Sequence, residues 1–185
     1  MIEGVHIWRV ALDGISPGQP RHRRTAAHSA LRRVLAGYLG QPAAAIEVEV
    51  GENGKPRLPG GELHFNLSHS GDLALVAVSE DGAVGIDVER VEPTRDFLAL
   101  AERALGQEDV AAVGAAAAGE RSAVFYNAWV RHEARLKCLG AGLTGPVPDS
   151  PVAVQPVDAE PGYAAAVALA GEEPPSLRLQ TLPPG

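Results

Sequence analysis

The chain has 185 residues, of which 45% are hydrophobic, and its net charge is −7. This length allows one buried core or two small lobes, and the acidic balance argues against a general nucleic-acid-binding surface. A single cysteine, Cys138, excludes an internal disulfide and a cysteine zinc cluster. No apolar run reaches the ~18 residues of a membrane span, and the first residues lack a signal-peptide pattern, so we expect a cytoplasmic enzyme or binding protein.

The first half of the chain shows the patterns of short strands around one long helix. Strands are expected at 5–12, 46–50, 63–67 and 73–78, with a loop at 14–20 and a helix at 23–39 that ends at Gly40. Residues 68–72, Ser-His-Ser-Gly-Asp, predict a hairpin-like turn between the last two strands.

The second half repeats this arrangement. We expect a strand at 84–91, short helices at 97–105 and 108–113, a long helix at 121–139, and strands at 152–154, 163–169 and 177–179; the alanine-rich residues 115–119 suit either a helix end or a flexible link. The apolar strand at 84–91 is expected in the middle of its sheet. Helices and strands do not alternate regularly, so we predict an α+β fold of two lobes, 1–83 and 84–185, with a ligand site between them. Two lobes in one chain favour a monomer.

Three carboxylates and a lysine suggest metal-assisted chemistry on a phosphate. Asp87 and Glu89 are two residues apart in a predicted strand and therefore share a face. Glu133 and Lys137 are four apart in a predicted helix, with Trp129 on the same face, which indicates partial burial. Carboxylates hold a hard cation, and a lysine can hold a phosphoryl oxygen. The alternatives are a solvated strand face and an ordinary helix ion pair.

Several other polar residues suit a phosphate ligand. Of the 16 basic residues only Lys55 and Lys137 are lysines, so chance aside, each is a candidate for a role that needs a compact charge. His69 stands between the hydroxyls of Ser68 and Ser70, a combination that suits a phosphate, although a plain polar turn is the alternative. A basic cluster lies near the N-terminus of the chain, formed by Arg21, Arg23, Arg24, Arg32 and Arg33. The arginines at 21–24 are at a helix start, where cations are unfavourable without an anion, although solvated charge is the alternative.

Taken together, these segments resemble the surfactin-type 4′-phosphopantetheinyl transferases. The matching order is Gly54-Lys55-Pro56, Phe65-Asn66-Leu67-Ser68-His69-Ser70, Gly85-Ile86-Asp87-Val88-Glu89, then Trp129, His132-Glu133-Ala134, Lys137, Gly140 and Gly142-Leu143. The resemblance spans 21–143 and includes the first long helix. It implies two similar α+β lobes, each a small, mainly antiparallel sheet with a long helix. It also implies an enzyme that moves the 4′-phosphopantetheine arm of coenzyme A to a serine of an acyl or peptidyl carrier protein, releasing 3′,5′-adenosine bisphosphate.

The resemblance also implies residue roles. Asp87, Glu89 and Glu133 would hold Mg²⁺ on the pyrophosphate, and Glu133 would help to deprotonate the serine. Lys137 would bind the pyrophosphate and stabilise developing charge. The adenosine end and its 3′-phosphate would be bound by four residues: Arg24, Lys55, Ser68 and His69.

One position departs from the family, which has a lysine where this chain has His132. We expect His132 to face the bound phosphates. Two alternatives to the transferase remain open: a coenzyme A-binding relative with little or no transfer activity, and a metal-dependent phosphohydrolase that uses Asp87, Glu89, His69 and His132.

Overall fold

The computed structural model describes residues 2–12, 20–51, 54–61, 63–93, 95–141 and 148–183. The loop expected at 14–20 lies outside these residues, except that residue 20 begins the first helix; the pair Gly142-Leu143 also lies outside them. The helices are α1 (Pro20–Leu39), α2 (Phe97–Ala104), α3 (Gln107–Ala115) and α4 (Arg121–Leu139), with a 3-10 turn at Ala43–Ala45. The strands are β1 (Val5–Ala11), β2 (Glu49–Val50), β3 (Pro56–Arg57), β4 (His64–Ser70), β5 (Leu73–Ser79), β6 (Val84–Arg90), β7 (Val152–Pro156), β8 (Tyr163–Ala170) and β9 (Leu177–Thr181).

The first sheet has the strand order β4-β5-β1-β9, and all its pairs are antiparallel except β1 with β9. Helix α1 covers one face and packs Leu31 and Leu35 against Val76 and Val78 of β5. Strand β5 is buried along its whole length because it is covered on both faces. Strand β9 belongs to the lobe predicted at 84–185, but it pairs with β1 in the first sheet. Apart from this strand, the division into lobes 1–83 and 84–185 stays a prediction.

The second sheet has the order β6-β8-β7 and is antiparallel throughout. Helix α4 covers one face, where Tyr126, Val130 and Ala134 pack on the small side chains of Ala166 and Ala168. The other face packs against the first sheet through the apolar side of β6. The α+β prediction, with one long helix on each sheet, is confirmed. Among the described residues, none of the helices has both the length and the apolarity that crossing a membrane requires.

Strand β6 is at the edge of its sheet, so the expectation of a central strand was wrong. The hairpin between β4 and β5 is confirmed, but its turn is only Gly71 and Asp72, because residues 68–70 extend β4. The two findings are connected. Polar side chains at every second residue of the extended β4 accept hydrogen bonds from alternate backbone amides of the edge strand β6. The accepting atoms are Asn66 Oδ1 from Ile86 N–H (2.9 Å), Ser68 Oγ from Val88 N–H (3.4 Å) and Ser70 Oγ from Arg90 N–H (3.1 Å). We call this row the side-chain ladder; it gives the edge amides of β6 their partners.

Helix α4 lies unusually close to β6. A Cβ atom at Gly85 would lie 2.1 Å from the Ala134 carbonyl oxygen and 2.3 Å from the Cys138 nitrogen, so only glycine fits there. Lys55 Nζ donates to the carbonyl oxygens of Cys138 (2.9 Å) and Val84 (3.1 Å). The helix end and the strand start are therefore tied together, and this contact brings the predicted strand and helix residues to one place.

Candidate active site

A cavity of about 340 Å³ opens between β4, β6 and α4. We call it the carboxylate cavity, and it brings together six of the eight residues predicted for the site; Arg24 and Lys55 do not line it. Trp129 forms part of its wall and is half-buried, which confirms the partial burial expected from the helix pattern. The lining residues are Leu67, Ser68, His69, Asp87, Glu89, Trp129, Glu133 and Lys137.

Lys137 pairs across the cavity with the strand. Its ammonium lies 2.6 Å from Asp87 Oδ1 and donates to Ser68 Oγ at 3.0 Å. Ser68 Oγ in turn donates to Asp87 Oδ1 at 2.8 Å. The ordinary i, i+4 helix pair is therefore not what holds Lys137. Ser68, predicted to bind the adenosine end, is buried and uses its hydroxyl inside the carboxylate cavity.

Negative charge in the cavity is only partly compensated. Asp87 Oδ2 and Glu133 Oε1 are buried, and neither has a hydrogen-bond partner among the described residues. Burial raises the pKa of Glu133, and the nearby Asp87 carboxylate raises it further. Burial also raises the pKa of Glu89; Ser70 Oγ, which donates to Glu89 Oε2 at 2.8 Å, opposes that shift. Bare oxygens on buried acids are unfavourable without a cation or a proton.

These acids fit a magnesium ion that takes part of its coordination from water and substrate. Within the described part of the chain, no three His, Cys, Asp or Glu side chains form a metal-binding group, so the protein does not supply a closed cage. However, the two unpartnered oxygens of Asp87 and Glu133 are hard donors. Mg²⁺ is usually bound by one or two carboxylates plus waters and phosphate oxygens, which this donor set allows.

A group of basic side chains lies next to the cavity. His69 of β4 is near Arg24 and His28 of α1; partial burial lowers the pKa of His69, and the charges of His28, Lys137 and Arg24 lower it further. Burial likewise lowers the pKa of His28, followed by the effect of Arg24 and Arg32. We call Arg24, His28 and His69 the cationic edge. The lowered pKa values favour the neutral rings of the two histidines, and a bound anion would favour their protonated forms, so the edge suits an anionic ligand.

His28 is absent from the residues predicted from the sequence. A signal for it existed, since Arg24, His28 and Arg32 are spaced by four residues and so share one face of α1. A histidine on an otherwise apolar and arginine-rich helix gives no indication of its partner, and only the approach of β4 supplies one.

Lys55 lies where α4 meets β6. Its ammonium donates to two backbone carbonyls, as described above, and burial lowers its pKa. It lines a neighbouring pocket of about 240 Å³ that shares Leu67 and Lys137 with the carboxylate cavity. Lys55 is therefore beside the carboxylate cavity, and its side chain holds α4 against β6.

His132 does not line the carboxylate cavity. Its ring packs near that of Trp129, with 6.5 Å between the centroids, and the charges of Asp109 and Arg135 act on its pKa. Consecutive helix residues diverge by roughly 100°, and Glu133 takes the cavity side. The placement is contrary to the expectation that His132 faces bound phosphates, and it removes one residue from the hydrolase alternative.

Residues 83–178 match the family model described as the 4′-phosphopantetheinyl transferase superfamily. The chain is 33% identical over 165 residues to the 4′-phosphopantetheinyl transferase HetI of Nostoc sp., which covers 75% of this chain and 70% of HetI. It is 37% identical over 129 residues to AcpT of Salmonella typhimurium, covering 69% of this chain and 66% of AcpT. It is 35% identical over 117 residues to psf-1 of Bacillus pumilus, covering 62% of this chain and 48% of psf-1.

Proposed function

Since the chain belongs to the 4′-phosphopantetheinyl transferase superfamily, we propose that it transfers the 4′-phosphopantetheine arm of coenzyme A to a serine of an acyl or peptidyl carrier protein. One observation carries the proposal to this chain's own residues. Buried carboxylates with unpartnered oxygens, a lysine and a cationic edge lie side by side, as a substrate with a pyrophosphate and a separate phosphate requires.

The reaction is a phosphoryl transfer. The serine oxygen forms a bond to the phosphorus that carries the pantetheine arm, and the bond from that phosphorus to the bridging oxygen breaks. The leaving group is 3′,5′-adenosine bisphosphate. Positioning and charge neutralisation carry most of the rate in such reactions.

Glu133 is suited to receive the proton of the serine. Its pKa is raised by burial and by Asp87, and a carboxylate of raised pKa is a better base near neutral pH than an exposed one. Asp87 and Glu133 would hold Mg²⁺ through their unpartnered oxygens, with Glu89 as the third carboxylate that the resemblance implies. When bound, the ion neutralises charge on the pyrophosphate.

Lys137 is placed to bind a pyrophosphate oxygen. Its ammonium is held at the cavity surface by Asp87 and Ser68, so its charge is available from one defined position. In this account Ser68 orients Lys137 and Asp87 instead of contacting the adenosine end.

The cationic edge would bind the 3′-phosphate. Arg24 and His28 belong to α1 and His69 to β4, so the three basic side chains come from two elements packed on each other. A phosphate among them would pair with Arg24 and favour protonation of the two histidines. Because the 3′-phosphate is remote from the reacting phosphorus, these residues contribute mainly uniform binding.

The test is incubation of carrier proteins from fatty-acid, polyketide and peptide synthesis with coenzyme A, Mg²⁺ and the full chain. Gain of one phosphopantetheine on the carrier supports the transferase. Bound but unchanged coenzyme A with every carrier points to the binding relative. Cleaved coenzyme A with an unmodified carrier points to the hydrolase, and both of these results contradict the proposal.

A further inference from the structure

We propose that Ser70 is a positioning residue for Glu89, a role that rests on the proposed function. Ser70 Oγ donates to Glu89 Oε2 at 2.8 Å and accepts the Arg90 N–H at 3.1 Å. A hydroxyl has one proton to donate. Because the hydroxyl donates its one proton to Glu89 Oε2 and accepts the Arg90 N–H through a lone pair, the rotamer of Ser70 is fixed. The position of Glu89 Oε2 is fixed with it.

The same unit occurs two residues earlier on both strands. Ser68 Oγ donates to Asp87 Oδ1 at 2.8 Å and accepts the Val88 N–H at 3.4 Å. The side-chain ladder therefore delivers one hydroxyl to each carboxylate of β6, in register. The serines at alternate positions of β4 therefore hold the carboxylates of β6 as well as its backbone amides.

Glu89 depends on the Ser70 hydroxyl more than Asp87 depends on the Ser68 hydroxyl. Asp87 also has the Lys137 ammonium at 2.6 Å. Glu89 is half-buried and accepts its hydrogen bond from Ser70 Oγ. A carboxylate that ligates a cation has to be correctly turned, and groups behind the ligands commonly hold it in that orientation.

Ser70 is itself held from outside the cavity. It precedes a turn in which Gly71 has φ 57°, and a Cβ atom there would lie 2.8 Å from Tyr163 Oη. Asp72 N–H donates to Tyr163 Oη at 3.1 Å, and the Asp72 carboxylate lies 2.5 Å from the Arg23 guanidinium. The end of β4 is thus fastened to β8 and α1, so Ser70 presents its hydroxyl from a fixed backbone.

The test compares Ser70→Ala with Ser70→Thr, which restores a hydroxyl at the same position. Ser79→Ala is the matched control, because Ser79 is a buried serine on β5 whose hydroxyl donates to Gly4 O and accepts from Asp81 N–H, both backbone groups. Binding of Mn²⁺ is measured by calorimetry on the full chain with coenzyme A present. Loss of a group behind a metal ligand typically costs about 10–100-fold in affinity, so we expect Ser70→Ala to weaken Mn²⁺ binding by at least about tenfold. Ser70→Thr should recover most of it, and Ser79→Ala should leave it unchanged.

A double-mutant cycle guards against a general loss of structure. In a Glu89→Gln background, Ser70→Ala should have no further effect on Mn²⁺ binding. Wild-type Mn²⁺ affinity in Ser70→Ala, or equal losses in both backgrounds, would overturn the assignment. If Ser70→Ala gives either of these results and still modifies a carrier protein, the role of Ser70 fails while the proposed transferase stands. If the wild-type chain leaves the carrier unmodified, the proposed function itself fails.

Discussion

The carboxylate cavity and the cationic edge differ in how the fold holds their charges. Asp87 and Glu133 are buried, with relative exposures of 3% and 9%, on a strand and a helix in close contact. Arg24 is exposed and His28 is half-buried on α1. The cavity therefore has fixed geometry and unfavourable burial of charge, whereas the edge has adaptable side chains in contact with solvent.

This difference separates chemistry from binding. Buried groups with unpartnered oxygens act strongly on a ligand because little water screens them. They are also preorganised, so they need no rearrangement during the reaction. Exposed cations are screened and contribute less each. Loss of a cavity acid should thus affect the reaction rate most, and loss of an edge cation should affect mainly binding of coenzyme A.

The largest effect is expected from Asp87→Asn and Glu133→Gln. Each keeps the shape and removes the charge, and we expect transfer to fall by at least about 100-fold, since general-base help alone contributes roughly 10²–10⁴-fold. Turnover at saturating Mg²⁺ is the measurement, with thermal unfolding as a check on the fold. Glu102→Gln, an exposed acid on α2, is the control and should be neutral. Near wild-type turnover in both cavity variants would contradict the assignment of Asp87 and Glu133 as ligands of Mg²⁺.

A smaller effect is expected at the cationic edge. His28→Ala and His69→Ala should each weaken coenzyme A binding by roughly tenfold, the value of one charge-assisted hydrogen bond, with little change in the maximal rate. Dephospho-coenzyme A lacks the 3′-phosphate and should be affected much less. Ser29→Ala, exposed beside His28 on α1, is the control. Equal losses with both donors would place the 3′-phosphate elsewhere.

The next prediction concerns pH and stability. In the metal-free protein the pKa values of Glu133 and Glu89 lie above the ordinary 4.5, so the folded state binds these protons more tightly than the unfolded state. That stabilisation is present at low pH and is lost as pH rises through the raised values. Mg²⁺ competes with the protons, so it should raise the melting temperature more at about pH 8 than at about pH 5. A shift independent of pH, or one retained by Glu133→Gln, would disagree with a cation at these acids.

The smallest effect is expected from His132→Lys. Because the ring lies against Trp129 and towards Asp109, the added charge should change coenzyme A affinity by less than about twofold. The dissociation constant is measured for both forms from about pH 6 to about pH 9, on either side of the ordinary histidine pKa. Parallel curves are expected; tighter binding by the lysine variant at alkaline pH would return position 132 to the phosphate site.

The cavity was more predictable from the sequence than the edge. Asp87 with Glu89 and Glu133 with Lys137 each lie in one regular element, so the periods of strand and helix place them correctly. Gly85 in an apolar strand signalled the close approach of another element, which the structure shows to be α4.

The remainder depended on contacts between distant segments. No local pattern states that β4 lies beside β6, so the serines at 68 and 70 resembled a turn and β6 resembled a central strand. Pairing of β9 with β1 joins the two ends of the chain. His28 and the carbonyl contacts of Lys55 likewise appear only once α1, β4 and α4 are packed.

The most direct test of the account is the stoichiometry of products in one reaction. A carrier protein is incubated with coenzyme A, Mg²⁺ and either the wild-type chain or Asp87→Asn, and intact mass and released nucleotide are measured together. The account predicts one phosphopantetheine per carrier and an equal amount of 3′,5′-adenosine bisphosphate with the wild type, and neither product with Asp87→Asn. Nucleotide release without carrier modification, or equal modification by both forms, would contradict it.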